Sequence, residues 1–313
     1  MTRSLPHTTS AAIAAEFVRA RTHAGSPAMG MVMTLVVVVD EDGSADALAA
    51  ARSASREHPA RVLAVVLGSS RGAAQVDAEV TVGAGWSGEM ALIRLSGEVV
   101  RHPESVVLPL LLPDSPVVAW WPGAAPVDPA SDPLGRLATR RITDARTSSS
   151  SRAKALHVQC ASYAPGNTDL AWTRLTPWRA LLAAALDQQP LKITGGSVGA
   201  ERINPSAELL VNWLSDRLRV DIKRKVSDGP GLTEVVLETA KGPIRIVRTD
   251  GRHAVISTPG NPDRPAALAQ RDVPELLAEE LRRLDEDDVY ARTARFLTRR
   301  VASRSPNRKA TKK

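Results

Sequence analysis

Hydrophobic and polar positions follow two rhythms along this chain. Met31–Asp40 (MVMTLVVVVD) is a continuous run dominated by β-branched residues, which predicts a strand buried on both faces. Arg61–Leu67 (RVLAVVL) predicts a second such strand, and Ala45–Ser55 between them reads as helix. Strand, helix and strand with short joins form a βαβ unit, which implies a parallel sheet with helices on its faces. Before it, residues 11–22 predict an amphipathic helix with Ile13, Phe17 and Val18 on one side and Ser10 as N-cap. After it come strands at Asp77–Val82, Glu89–Leu95, Pro116–Trp121 and Ile142–Asp144, with helical stretches at Ser105–Leu112 and Leu134–Arg141.

The rhythm changes further on. Asp169–Asp187 reads as a long helix that Pro177 kinks or divides. Gln188–Asn204 reads as a glycine-rich join. Ser206–Leu218 is a helix, followed by a meander over 221–226, 232–239, 243–249 and 252–257, whose breaks at Asp228-Gly229, Lys241-Gly242 and Asp250-Gly251 are hairpin signals. Val273–Leu284 and Asp287–Val301 are charged helices. The expected plan is therefore an α/β N-terminal domain over 1–165 with a mostly parallel, helix-flanked, Rossmann-like sheet. An α+β C-terminal domain with an antiparallel sheet follows over 166–302, and a disordered basic tail over 303–313.

Composition narrows the function. One cysteine, Cys160, excludes an intramolecular disulfide and any multi-cysteine zinc site. No apolar run approaches the roughly 20 residues that a bilayer needs, and the N-terminus lacks a signal-like apolar stretch, which predicts a soluble cytoplasmic protein without membrane contact. The net charge of +7 suggests nucleic acid until it is mapped. Arg292–Lys313 holds nine Lys/Arg and no acid. Without those nine, the 41 basic residues fall to 32, against 34 acids. A terminal basic run is ordinarily a solvated end, so no specific nucleic-acid partner is expected.

Two short motifs suggest chemistry and then lose it. Gly83-Ala84-Gly85-Trp86-Ser87-Gly88 matches G-x-G-x-x-G, but such a loop must open a helix to hold a pyrophosphate, and Glu89–Leu95 reads as strand. A glycine-rich hairpin is the stronger reading, with a nucleotide- or phosphosugar-binding enzyme using this loop as the alternative. Gly68-Ser69-Ser70-Arg71-Gly72 matches G-x-S-x-G without the following helix that a nucleophile elbow requires. His58 and His102 have no metal-ligand spacing. No catalytic, cofactor-binding or metal-binding set emerges.

Tryptophan and arginine concentrate instead in three segments: LLPDSPVVAWWP at 111–122, DPLGRLATRRITDA at 132–145 and YAPGNTDLAWTRLTPWR at 163–179. They hold Trp120, Trp121, Asp132, Arg136, Arg140, Arg141, Asp169, Trp172, Arg174, Trp178 and Arg179. Trp and Arg dominate interface energetics, because each joins a large contact area to a directed donor. The competing reading is that the Trp residues are core and the Arg/Asp pairs are structural. Adjacent Trp120 and Trp121 in a strand must point to opposite faces. Arg136 and Arg140, four apart on an expected helix, would share a face. One composite surface of Trp121, Arg136, Arg140, Asp169 and Arg174 is the sharpest form of the partner-binding reading.

These segments, together with HPARVLAVV at 58–66, RLSGEVVRHPESVVLPLLLP at 94–113 and LAEELRRLDEDDVY at 277–290, closely resemble the glucose-6-phosphate dehydrogenase assembly proteins of the OpcA family, in its actinobacterial branch. The resemblance spans about Ala28 to Phe296. It implies a non-catalytic regulator that binds glucose-6-phosphate dehydrogenase, promotes its active oligomer and so supports NADPH production in the oxidative pentose phosphate pathway. The family's G-D-T-D-L-A-W has Asn167 here in place of its first aspartate. Thioredoxin control through cysteines, known among cyanobacterial relatives, does not carry over to a chain with Cys160 alone.

Overall fold

The computed structural model describes residues 2–24, 30–83, 88–148, 151–188 and 191–304. The chain forms two compact units. One comprises Met1–Ser149, Ala164–Asp169 and Asp272–Glu286, and the other comprises Ser150–Tyr163, Leu170–Arg271 and Asp287–Lys313. The units are thus interleaved along the chain, where the sequence suggested a single crossing near 165.

The first unit carries strands β1 (Thr2–Leu5), β2 (Met33–Val39), β3 (Ala60–Leu67), β4 (Gln75–Val82), β5 (Glu89–Ser96), β6 (Val117–Trp120), β7 (Arg140–Thr143) and β8 (Asn167–Asp169). They form one sheet in the order β1-β4-β5-β3-β2-β6-β7-β8. The six strands from β5 to β8 run parallel, and β4 and β1 add antiparallel pairs at one edge. Every residue of β2 is buried, as its unbroken apolar run requires. Each such Val or Leu contributes about 1.5–3 kcal/mol by leaving water.

Helices α1 (Ser10–Ala24), α2 (Ser44–Ala54) and α3 (Pro103–Val107) belong to this unit. On one face of the sheet, Val36, Val38, Leu63, Ile93, Ala119 and Trp121 join Ile13 and Phe17 of α1 in a single core. Ile13 and Phe17 are buried as expected, but Val18 is 54% exposed, because it lies about 100° round the helix from Phe17.

The expected helix over 134–141 is absent. A 3-10 turn spans only Gly135–Leu137, and Arg140 already belongs to β7. Gly135 weakens a helix here, and the Asp132 carboxylate accepts the Leu134 and Gly135 N–H groups at 2.9 and 3.1 Å, which closes a short turn instead. Arg136 and Arg140 therefore share no helix face.

The second unit contains helices α4 (Arg152–Ala161), α5 (Leu170–Thr173), α6 (Thr176–Gln188) and α7 (Pro205–Leu218), and strands β9 (Ile193–Ala200), β10 (Ile222–Val226), β11 (Leu232–Thr239), β12 (Ile244–Val247), β13 (His253–Ser257) and β14 (Arg264–Ala267). Helix α8 (Val273–Arg282) returns to the first unit, and α9 (Asp288–Arg304) completes the second. The long helix expected over 169–187 is divided into α5 and α6, and Pro177 sits in the first turn of α6, where its missing N–H has no partner to lose.

The second sheet has the order β10-β9-β11-β12-β13-β14. Strands β11 to β14 are the antiparallel meander. Strand β9 lies inside the sheet, parallel to β10 and antiparallel to β11, in the segment read from sequence as a join. Its glycines explain the reading and also the fit: a Cβ on Gly196 would stand 2.4 Å from the Val236 carbonyl oxygen. The basic tail expected from 303 begins inside α9, and residues 305–313 lie outside the described residues. Among the described residues no helix is long and apolar enough to cross a membrane.

Candidate functional site

The first unit's sheet reverses direction of growth at β2, with β3 on one side and β6 on the other. Open α/β sheets carry ligands outside the carboxyl ends of the strands at such a point, and phosphates there use the N–H groups of the helix that follows. Here β2 leads through Asp40-Glu41-Asp42-Gly43 into α2. The Asp40 carboxylate accepts the Gly43 N–H at 2.8 Å, which closes a turn just before α2. Glu41 pairs with Arg94 at 3.0 Å. A cavity of about 720 Å³ opens at this edge, with Val38, Asp40, Leu67, Trp120 and Asp144 in its wall.

The two glycine motifs lie elsewhere. Gly83–Gly88 joins β4 to β5, which pair antiparallel with Val82 opposite Glu89, so it closes a hairpin and opens no helix. Residues 84–87 lie outside the described residues. Gly68–Gly72 leads directly to β4 at Gln75. Among the described residues no group of three or more His, Cys, Asp or Glu is placed to hold a metal ion.

The tryptophan pair behaves as strand geometry demands. Trp121 enters the core beside α1, whereas Trp120 faces the cavity side, and both are fully buried. Arg140, 4% exposed, donates from Nε to Glu280 Oε2 at 3.2 Å and from Nη1 to the Asp285 carbonyl at 2.6 Å. Arg141 donates from Nε to Asn167 Oδ1 at 2.6 Å and from Nη1 to the Ala138 carbonyl at 2.7 Å. An aspartate at 167 would offer the same acceptor with a charge added; asparagine keeps the bond.

Asp169 is fully buried at the end of β8 and accepts from Thr143 Oγ1 at 2.7 Å and from the Ala145 N–H at 3.0 Å, tying β8 to the exit of β7. Asp132 serves the 3-10 turn. Arg136 is exposed, with one bond to the Ser131 carbonyl at 3.2 Å.

The remaining candidates belong to the second unit. Trp172, 1% exposed, donates from Nε1 to Asp287 Oδ2 at 2.8 Å. Its ring meets Trp213 edge-on at 6.5 Å and Tyr290 at 5.8 Å, and Tyr290 meets Tyr163 at 5.9 Å. The Arg179 guanidinium lies 4.0 Å from the Trp172 ring centre and that of Arg295 5.3 Å from Tyr163. Trp178 is buried under Arg248 at 5.1 Å, and Arg248 donates to the Leu268 and Leu232 carbonyls. Desolvation by burial lowers the Arg248 pKa below its ordinary value. Arg174 is half-buried on the turn after α5.

Direct contact with a partner needs exposed side chains. Trp120, Trp121, Trp172, Trp178, Arg140 and Asp169 are each less than 5% exposed and hold their own units together. Of the five residues in the expected composite surface, Arg136 is the exposed one. Sequence reasoning missed Glu280, Asp285 and Asp287, which complete the Arg140 and Trp172 sites. The signal was present in LAEELRRLDEDDVY, whose acids are the matching partners, but nothing in the spacing says which base each one meets.

The fold and this edge define a two-unit α/β chain, doubly wound in its first unit, with an acidic loop where dinucleotide-binding relatives of the fold carry a glycine-rich one. Residues 51–160 match the family described as glucose-6-phosphate dehydrogenase subunit N-terminal domain, and residues 165–294 match its C-terminal domain. The chain belongs to this family, the OpcA glucose-6-phosphate dehydrogenase assembly proteins.

No curated protein matches the chain. Among solved structures it is similar to KijD10, a 3-ketoreductase from Actinomadura kijaniata in complex with NADP and TDP-benzene, at 8% identity over 85% of this chain and 94% of that one, with a TM-score of 0.47. An oxidoreductase from Sinorhizobium meliloti matches at 11% identity over 88% and 90%, with a TM-score of 0.39.

Proposed function

We propose that this chain is a non-catalytic cytoplasmic partner that binds glucose-6-phosphate dehydrogenase and promotes its active oligomer, supporting NADPH supply in the oxidative pentose phosphate pathway. The match of both family domains across residues 51–294 carries the reading. A partner raises activity by binding the active form more tightly than the inactive one, and a tenfold population shift takes about 1.4 kcal/mol of differential affinity. One or two well-placed arginine contacts supply that amount.

Within this reading Arg136 is the contact residue among the Trp/Arg set. The buried tryptophans, with Arg140 and Asp169, hold the frame that presents it. Arg136→Ala is expected to weaken binding of the dehydrogenase about tenfold in a sedimentation or light-scattering titration, while the melting temperature stays within a degree or two. A drop in melting temperature with binding unchanged would make Arg136 a structural residue.

A further inference from the structure

We propose that a basic cavity in the second unit binds a small phosphorylated compound: a phosphoryl dianion carried on a body with an apolar face. The cavity measures about 580 Å³, within the range of small-molecule sites, and its wall is built mainly from α7, β10 and α9. All of its lining belongs to that one unit, whereas Arg136, proposed above as a contact for the dehydrogenase, belongs to the other. Three features of the wall select the chemistry.

The first is a half-buried cation without a counter-anion. The Arg224 guanidinium, in the wall, donates to the main-chain carbonyls of Val198 at 3.4 Å, Ala200 at 3.1 Å, Glu201 and Lys225, and among the described residues it pairs with no carboxylate. Carbonyl dipoles orient the group but leave its charge whole. Desolvation by burial pushes the Arg224 pKa below its ordinary value, and Glu208 offsets that only in part. An anion in the cavity would restore the balance.

The second is the surplus of charge. Arg202, Lys223, Arg224 and Arg300 line the cavity against Glu208 and Asp221, which leaves two positive charges over. Both acids are already engaged: Asp221 accepts from Arg300 at 3.3 Å, and Glu208 lies 2.6 Å from His157 Nε2. Arg202 and Lys223 are exposed and make no hydrogen bond or ion pair among the described residues, so both are available to a ligand. Asn204 and Pro205, at the start of α7, also stand in the wall. Asn204 Oδ1 accepts the Ala207 N–H at 2.9 Å, so the helix contributes chiefly its positive field. A phosphoryl dianion matches the surplus of two and takes charge-assisted bonds from several directions, where a carboxylate brings half the charge.

The third is apolar surface beside the charge. Ile203, Val211, Leu297 and Val301 line the same space. Ile203 is 50% exposed, and a ring or alkyl chain resting on it would take that surface out of water. Inorganic phosphate would leave it wet, so the body of the ligand adds to the affinity of its charge.

The test is a ligand-observed NMR titration of the full-length chain with phenyl phosphate, inorganic phosphate and benzyl alcohol. Phenyl phosphate is expected to bind at least tenfold more tightly than either of the others. Arg202→Gln and Lys223→Gln, both at exposed positions, should each weaken phenyl phosphate at least threefold. Asp221→Asn, which frees Arg300 from its carboxylate, should tighten it at least twofold. The proposal is overturned if phenyl phosphate shows no binding at about 10 mM, or if benzyl alcohol or inorganic phosphate binds equally well or better. Phenyl phosphate affinity unchanged in both glutamine variants would overturn it too, because the anion would then sit on other basic residues of the chain.

Discussion

Replacing Arg140 by alanine is expected to destabilise the first unit by about 3–5 kcal/mol, since it takes a guanidinium away from a buried carboxylate. Glu280, 6% exposed, would lose its guanidinium, and the Asp285 carbonyl would lose a donor at 2.6 Å. For a unit of this size the melting temperature should fall by roughly 10 °C. Arg140 sits on β7 and Glu280 on α8, 140 positions apart, so the pair ties the returning segment 272–286 to the sheet. A cost below about 1 kcal/mol for Arg140→Ala would show that the pair is screened by water and does not hold α8.

The second large effect is expected at Gly135. An added Cβ would stand 1.8 Å from the Pro129 carbonyl oxygen and 3.3 Å from Trp121 Cη2, so backbone must move for alanine to fit. The strain passes straight into the packing of a fully buried tryptophan. Gly135→Ala should cost about 1–3 kcal/mol or prevent folding outright. Gly123→Ala is the control: a Cβ there meets nothing within 4 Å and its φ needs no glycine. Thermal unfolding of the two variants side by side should show a large drop for the first and almost none for the second. Equal stability of the two would mean that the 129–135 turn yields at little cost.

The parts of the fold that could be read from sequence are those where one periodicity ran long enough to be unambiguous. MVMTLVVVVD and RVLAVVL could hardly be anything but buried parallel strands, and α2 between them set the handed βαβ unit. The second sheet was legible only in part. Strand β9 is TGG-rich, and glycine carries no side-chain signal, yet its small residues are what allow the close approach to β11. Helix α4 escaped because its ten residues show no strong apolar stripe.

The strand order, with β9 placed between β10 and β11, is a long-range pairing that local pattern does not encode.

The candidate site divides in the same way. That Trp120 and Trp121 face opposite sides of the sheet followed from strand geometry alone. That both are buried did not, because burial depends on the helices covering each face. Arg136 and Arg140 read as one helix face because Leu134, Leu137 and Arg141 fit a helical spacing. Gly135 and the Asp132 carboxylate decided for a turn and a strand. The acidic loop Asp40–Asp42 was in plain view, but its meaning required knowing that β2 is where the sheet reverses.

The most direct test of the central claim is a titration of purified chain into its cognate glucose-6-phosphate dehydrogenase, following initial rate and sedimentation together. The expected result is a saturable rise in dehydrogenase activity at micromolar protein or below, accompanied by a larger sedimenting species containing both chains. The chain alone should reduce no NADP with glucose-6-phosphate. Unchanged kinetics and unchanged sedimentation of the dehydrogenase across that range, with the added chain folded, would contradict the account.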